Sequence, residues 1–68
     1  MNPKTIGDRI QLLMLNKKIS TQELAQILGV DRKTIWSWKA GSTEPLSSQI
    51  RILAIVFGVT CDYLINGK

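Results

Sequence analysis

Ser20-Thr21-Gln22-Glu23-Leu24-Ala25-Gln26-Ile27-Leu28-Gly29-Val30-Asp31-Arg32-Lys33-Thr34-Ile35-Trp36-Ser37-Trp38-Lys39 is the stretch on which the fold turns. Ser20 is followed three residues later by Glu23. That spacing is a capping box, in which each side chain satisfies an orphan backbone N–H beside the other. Leu24, Ile27 and Leu28 then form the apolar stripe of a helix over Thr21–Leu28. Gly29 stops it, because glycine takes the left-handed conformation without steric cost. Asp31 caps a second helix that runs to about Lys39, with Ile35 and Trp38 as its inward pair.

Only Gly29-Val30 separates the first of these helices from the cap of the second. Two helices joined by so tight a turn cross steeply, which is the geometry of a helix-turn-helix. The geometry needs a small residue where the second helix approaches the first, and Ala25 is there. It needs apolar internal contacts, which Leu24, Leu28, Val30, Ile35 and Trp38 supply. Thr21, Gln22, Arg32, Lys33 and Ser37 are the polar residues of an outward face. The competing explanation is two ordinary helices of a small core, since any such protein shows apolar stripes. The full set of small, glycine and apolar positions at these offsets favours the DNA-binding motif, placed at about residues 21–39.

Working outward, a first helix is predicted over residues 3–16. Asn2 is its expected cap and Pro3 its first residue, where the missing N–H is harmless. Ile6, Ile10 and Leu13 share one face, and Lys17-Lys18 close the segment. Residues 40–45 read as a loop. A fourth helix follows at Ser47–Phe57 with Ile50, Leu53, Ala54 and Phe57 inward, ended by Gly58. Thr60 caps a fifth, short helix over residues 61–65. Nothing reads as a strand, so the expected fold is all-α, a single domain over residues 1–68.

The composition narrows the function. The net charge is +4 and the sequence pI is about 9.7. A basic domain attracts polyanions, nucleic acid foremost. There is no histidine, and the five acids Asp8, Glu23, Asp31, Glu44 and Asp62 are scattered, with three of them at or near expected helix starts. No glycine-rich phosphate loop and no Cys/His metal spacing occurs. The sequence therefore predicts no enzyme, no cofactor, no metal and no small-molecule ligand. The lone Cys61 forms no internal disulfide and fits a reducing compartment. No apolar run reaches the roughly 18 residues of a membrane span, and Met1-Asn2-Pro3-Lys4 lacks the apolar stretch of a secretory signal. The expected location is the cytoplasm, away from membranes.

The chain resembles the phage repressor and Cro family, the Xre type of helix-turn-helix protein. The matching stretches are Ile6-Gly7-Asp8-Arg9-Ile10, Ser20-Thr21-Gln22-Glu23-Leu24-Ala25 and Leu28-Gly29-Val30-Asp31-Arg32-Lys33-Thr34-Ile35. They continue with Trp38-Lys39-Ala40-Gly41, Glu44-Pro45, Leu53-Ala54 and Phe57-Gly58-Val59-Thr60-Cys61-Asp62-Tyr63-Leu64. The resemblance covers nearly the whole chain. It implies a compact bundle of five helices like the lambda repressor DNA-binding domain, with the third helix as reader. It implies a sequence-specific transcriptional regulator of double-stranded operator DNA, Cro-like or repressor-type. An antitoxin or a protein-interaction module of the same fold is the alternative.

By position in that resemblance, Arg32, Lys33 and Ser37 face base edges. The planar fork of arginine matches the O6 and N7 acceptors of guanine together. Contact with phosphate alone, or no contact at all in a solvated charged turn, are the other options for Arg32 and Lys33. Two cations in the first turn of a helix oppose its dipole, which points to an anion that compensates them. Trp36 lies one turn after Arg32, off the inward face. It contacts either a thymine methyl or the sugar-phosphate wall, or else lies on the protein surface. Thr21 and Gln22 match positions that touch the DNA backbone in the family, and Thr34, Lys39, Ser42 and Thr43 are further phosphate candidates. Ordinary capping and loop polarity would explain each of these singly.

The sequence departs from relatives at three places. An arginine late in the first helix and a glutamate near the end of the third are replaced by Met14 and Lys39. Both partners of an internal ion pair have changed, which avoids a lone buried charge. Lys18 stands where relatives often carry glycine. Leu12, Leu15, Ile52 and Ile55 exceed what a small core needs, either widening its buried face or meeting a second copy. One domain buries too little surface to find an operator unaided. The expectation is a homodimer, weak when free and formed on DNA, with the resemblance placing its contacts around Cys61 and the last helix. The chain fits either a whole Cro-like protein or the DNA-binding part of a longer repressor.

Overall fold

A computed structural model describes residues 3–68. All regular structure among them is helical: α1 Ile6–Lys17, α2 Thr21–Leu28, α3 Arg32–Ala40, α4 Ser47–Phe57 and α5 Cys61–Asn66. The helices are short because caps placed in the sequence start and stop them. Ser20 Oγ accepts from the Glu23 N–H at 3.1 Å, and Glu23 Oε1 accepts from the Ser20 N–H at 3.1 Å, completing the capping box of α2. Asp31 Oδ1 accepts from the Lys33 N–H at 2.9 Å and Thr60 Oγ1 from the Tyr63 N–H at 2.9 Å. The expected bounds of α2 and α4 are reproduced, while α3 and α5 each run one residue further than predicted.

The start of α1 differs from the prediction. The expected cap, Asn2, lies outside the described residues, and Pro3 is not helical. Thr5 is the N-cap instead, its hydroxyl accepting from the Asp8 N–H at 3.0 Å. A threonine with an acid three residues on competes with Asn2-Pro3 as a start signal. It wins because it satisfies the donor at the first turn that has apolar residues to pack. At the other end α1 closes on Lys18 with φ 57° and ψ 43°. Lys18 N–H reaches the Leu15 carbonyl at 3.3 Å and Ile19 N–H the Met14 carbonyl at 3.0 Å. This paired closure normally uses glycine, and a side chain there costs about 1–2 kcal/mol.

Ile10, Leu13, Met14, Leu24, Ala25, Ile35, Trp38, Leu53, Ala54, Phe57 and Leu64 form the buried core. Ile6, Leu28, Val30 and Ile50 pack against it half-buried. Ile27 does not join it and is 52% exposed, contrary to its place in the predicted stripe. α2 has only two turns and packs chiefly on α3, so Leu24 and Ala25 fill that contact and Ile27 falls beyond it. Of the surplus apolar residues, Leu12 is half-buried, while Leu15, Ile52 and Ile55 are exposed, Ile55 at 81%. They do not widen the core.

Two close approaches fix how α1 sits. A Cβ added at Gly7 would overlap the Trp38 carbonyl oxygen, so only glycine lets α1 cross the end of α3 at this distance. Arg9 is buried, and its Nη1 donates to the Leu64 carbonyl at 3.1 Å. A cation thereby meets the last turn of α5, where the helix dipole is negative. Gly67 lies against the other edge of the same guanidinium. Neither role was visible in the sequence.

Candidate nucleic-acid interface

The α2–α3 pair is held by its turn. Gly29 adopts φ 69° and ψ 33°, and Val30 N–H bonds back to the Ala25 carbonyl at 3.0 Å. α3 then buries Ile35 and Trp38 completely or nearly so and turns Arg32, Lys33 and Trp36 to solvent. The alternation follows from helical spacing: Arg32 and Trp36 are four residues apart, and Lys33 and Trp36 three. Trp36 is 65% exposed, and with Asp31, Arg32 and Lys33 it lines an open groove on this face.

Arg32 and Lys33 occupy the first turn of α3. Asp31 is spent as cap on the Lys33 N–H, so one acid offsets part of the charge repulsion there. Ser37 is half-buried, and its Oγ accepts from Thr43 Oγ1 at 2.9 Å. The Ser42 N–H also bonds to the Ser37 carbonyl, at 3.0 Å. The loop after α3 is therefore folded back on the second turn of that helix, which brings the phosphate candidates Ser42 and Thr43 beside the base candidate Ser37.

Lys39 is half-buried. Its Nζ donates to Thr21 Oγ1 at 3.3 Å and lies 5.9 Å from the centroid of the Trp36 ring. Thr21, Lys39 and Trp36 thus form one connected line from the first turn of α2 to the exposed face of α3. Gln22 is exposed beside Thr21. Thr34 is half-buried, one residue before Ile35, at the margin of the exposed face. Met14 and Lys39 line one small cavity with Ile19 and Thr21, so the two departures from relatives are spatial neighbours.

One feature of the surface escaped sequence reasoning. α4 begins without a side-chain cap: Leu46 has no acceptor, and only the reverse half of a box exists, with Leu46 N–H donating to Gln49 Oε1 at 2.7 Å. Its first-turn N–H groups come after Glu44-Pro45-Leu46, the end of the loop that carries Ser42 and Thr43. The leucine at the cap position and the glutamine three residues on were the available signal.

Residues 10–64 match the Helix-turn-helix family HTH_3. The chain is 30% identical over 62 residues to the HTH-type transcriptional activator BcrR of Enterococcus faecalis, covering 91% of this chain and 30% of that protein. It is also 30% identical over 61 residues to the SPbeta prophage-derived HTH-type transcriptional regulator YonR of Bacillus subtilis strain 168, covering 90% of this chain and 56% of that one. The chain thus spans between about a third and a little over half of these relatives' lengths. Among solved structures it superposes on the P22 c2 repressor in complex with a synthetic operator, with TM-score 0.87, 28% identity, 94% of this chain and 97% of that one. The solution structure of the P22 c2 DNA-binding domain gives TM-score 0.87 and 30% identity, over 98% of this chain and 88% of that one.

Proposed function

The chain belongs to the Helix-turn-helix family, of the Xre and phage-repressor type, and from this premise we propose that it is a sequence-specific regulator of transcription that reads operator half-sites in the major groove with α3. The observation that carries the reading is the division of labour on α3. Ile35 and Trp38 anchor the helix in the core, while Arg32, Lys33 and Trp36 stand free on the opposite face. A helix held this way enters the major groove with its N-terminal residues at the base edges.

In this reading Arg32, Lys33, Trp36 and Ser37 contact bases. Thr21, Gln22, Thr34, Lys39, Ser42 and Thr43 contact phosphates, helped by the uncapped first turn of α4. Phosphate contacts set the register and base contacts carry the sequence. The exposed Ile55, with half-buried Val59 and Cys61 around the turn into α5, offers the surface for a second copy on an inverted half-site. Two half-sites about one helical turn apart place both readers on one face of the duplex.

Titration of duplex DNA at several salt concentrations tests the reading. Lysine and arginine contacts release counterions, so affinity falls steeply as salt rises. Affinity that stays flat between low and physiological salt contradicts DNA binding, and points to the protein-interaction alternative.

A further inference from the structure

Asn66-Gly67 is the one Asn-Gly pair of the sequence, and it stands at the close of α5. The pair is chemically labile. Glycine has no side chain to hinder its backbone nitrogen from attacking Cγ of the preceding asparagine. The fold opposes that attack at both groups. Gly67 N–H donates to the Tyr63 carbonyl at 2.8 Å, which holds the proton that the nitrogen must lose. Asn66 Nδ2 donates to Asp62 Oδ1 at 2.8 Å, one turn back along α5. A helical side chain leans toward the N-terminus, so the Asn66 amide is directed away from the nitrogen that would attack it. The fold also keeps the labile neighbour in place. Gly67 has φ 76°, and a Cβ there would lie 2.8 Å from Arg9 Nη2 and 3.0 Å from Arg9 Nε. Arg9 is buried, and its Nε meets no acceptor among the described residues. Position 67 thus calls for the residue that leaves Asn66 most reactive.

We propose that Asn66 is a site of spontaneous deamidation, guarded by the last turn of α5, and that the modification frees this turn from Arg9. The reaction consumes only water. The Gly67 nitrogen bonds to Asn66 Cγ, and its proton departs with the side-chain nitrogen as ammonia, which closes a succinimide ring. Water then opens the ring. Cleavage at Cγ gives aspartate, and cleavage at the backbone carbonyl carbon gives isoaspartate. The aspartate product sets a carboxylate one turn from Asp62, so like charges replace the 2.8 Å hydrogen bond. It also places an anion at the negative end of the helix dipole. Isoaspartate routes the main chain through the former side chain and lengthens it by one methylene. Gly67 then loses either the Tyr63 carbonyl or its place beside Arg9. The attack requires the last turn to open, so local fraying of α5 sets the rate.

The full chain is incubated at mildly alkaline pH, folded and in urea, and the peptide holding Asn66 is followed by mass spectrometry with separation of the two isomers. The folded chain is expected to react about tenfold more slowly than the unfolded one, since only its frayed fraction reacts. Asp62→Ala removes the acceptor of the Asn66 amide and is expected to raise the folded rate severalfold. Asn66→Gln, whose longer side chain closes a ring far more slowly, is expected to stay unmodified. Equal rates in folded and unfolded chains overturn the guard, and a folded chain that yields no product overturns the site. The isolated isoaspartate form is expected to melt roughly 4–8 °C below the unmodified protein. Its Arg9 Nε–H resonance is expected to move. An isoaspartate form with unchanged Tm and an unchanged Arg9 resonance overturns the release of α5.

Discussion

Lys39 Nζ donates to Thr21 Oγ1 across 3.3 Å, so the third turn of α3 is tied to the first turn of α2. The sequence offered both residues as independent phosphate candidates. Their contact makes them one unit: a cation and a hydroxyl at the start of a helix, where backbone N–H groups and the dipole already favour an anion. Lys39→Ala is expected to weaken binding to preferred and scrambled duplexes by similar factors. The slope of log affinity against log salt is expected to fall by about one. Titrations at a series of salt concentrations measure both, and a change confined to the preferred duplex would assign Lys39 to base reading.

Met14 and Lys39 border the same small cavity, and Met14 is buried. Met14→Arg brings a second cation toward Lys39. It is expected to destabilise the fold by about 2–3 kcal/mol, less than full ion burial because the cavity opens to solvent. Adding Lys39→Glu is expected to recover part of the loss. Urea denaturation of the single and double variants checks this. A double variant no more stable than the single one would show that the two positions do not interact.

Lys18 holds φ 57° at the close of α1. Lys18→Gly is expected to raise stability by about 1 kcal/mol, because glycine takes this conformation without the Cβ clash. In a domain this small that corresponds to roughly 4–8 °C in Tm. Thermal denaturation followed by circular dichroism reads it. An unchanged or lowered Tm would mean that the lysine stem repays its strain by packing.

These cases mark what the sequence made legible and what it hid. Caps and stops act between residues two to four apart, so the capping box at Ser20 and Glu23, the Asp31 cap and the glycine turn at Gly29 could be read directly. So could the outward placement of Arg32, Lys33 and Trp36, which follows from helical period once Ile35 and Trp38 are inward. Ile27 failed because period alone does not say how wide a face the neighbouring helix covers. Gly7 against Trp38, Arg9 on the Leu64 carbonyl and Lys39 on Thr21 join residues far apart in the chain. No local rule reaches those pairs. The start of α1 was misplaced because two capping signals stood three residues apart and only packing chose between them.

Assembly follows from the small surface left outside the core. The free protein is expected to be largely monomeric at low micromolar concentration, since contacts below roughly 1,200 Å² are usually weak. Two copies on adjacent half-sites gain from their effective concentration. Cys61→Asp places a charge at the expected contact while suiting the first turn of α5, where an acid is favoured. It is expected to leave half-site affinity intact and to reduce cooperative binding to the full site. Sedimentation of the free protein with half-site and full-site titrations decides the matter. A tight dimer without DNA, or full-site binding without cooperativity, would contradict the picture.

Whether α3 reads base sequence is decided by selection from a pool of random duplexes, run in parallel for the wild-type protein and Arg32→Ala. The wild type is expected to enrich a defined half-site repeated in inverted orientation. Arg32→Ala is expected to enrich the same site with preference relaxed at one base position and affinity for the original lowered by about 1–3 kcal/mol. Recovery of no common sequence by the wild type would contradict base reading altogether. An Arg32→Ala pool identical to the wild-type pool would place that arginine on phosphate and remove it from the reading face.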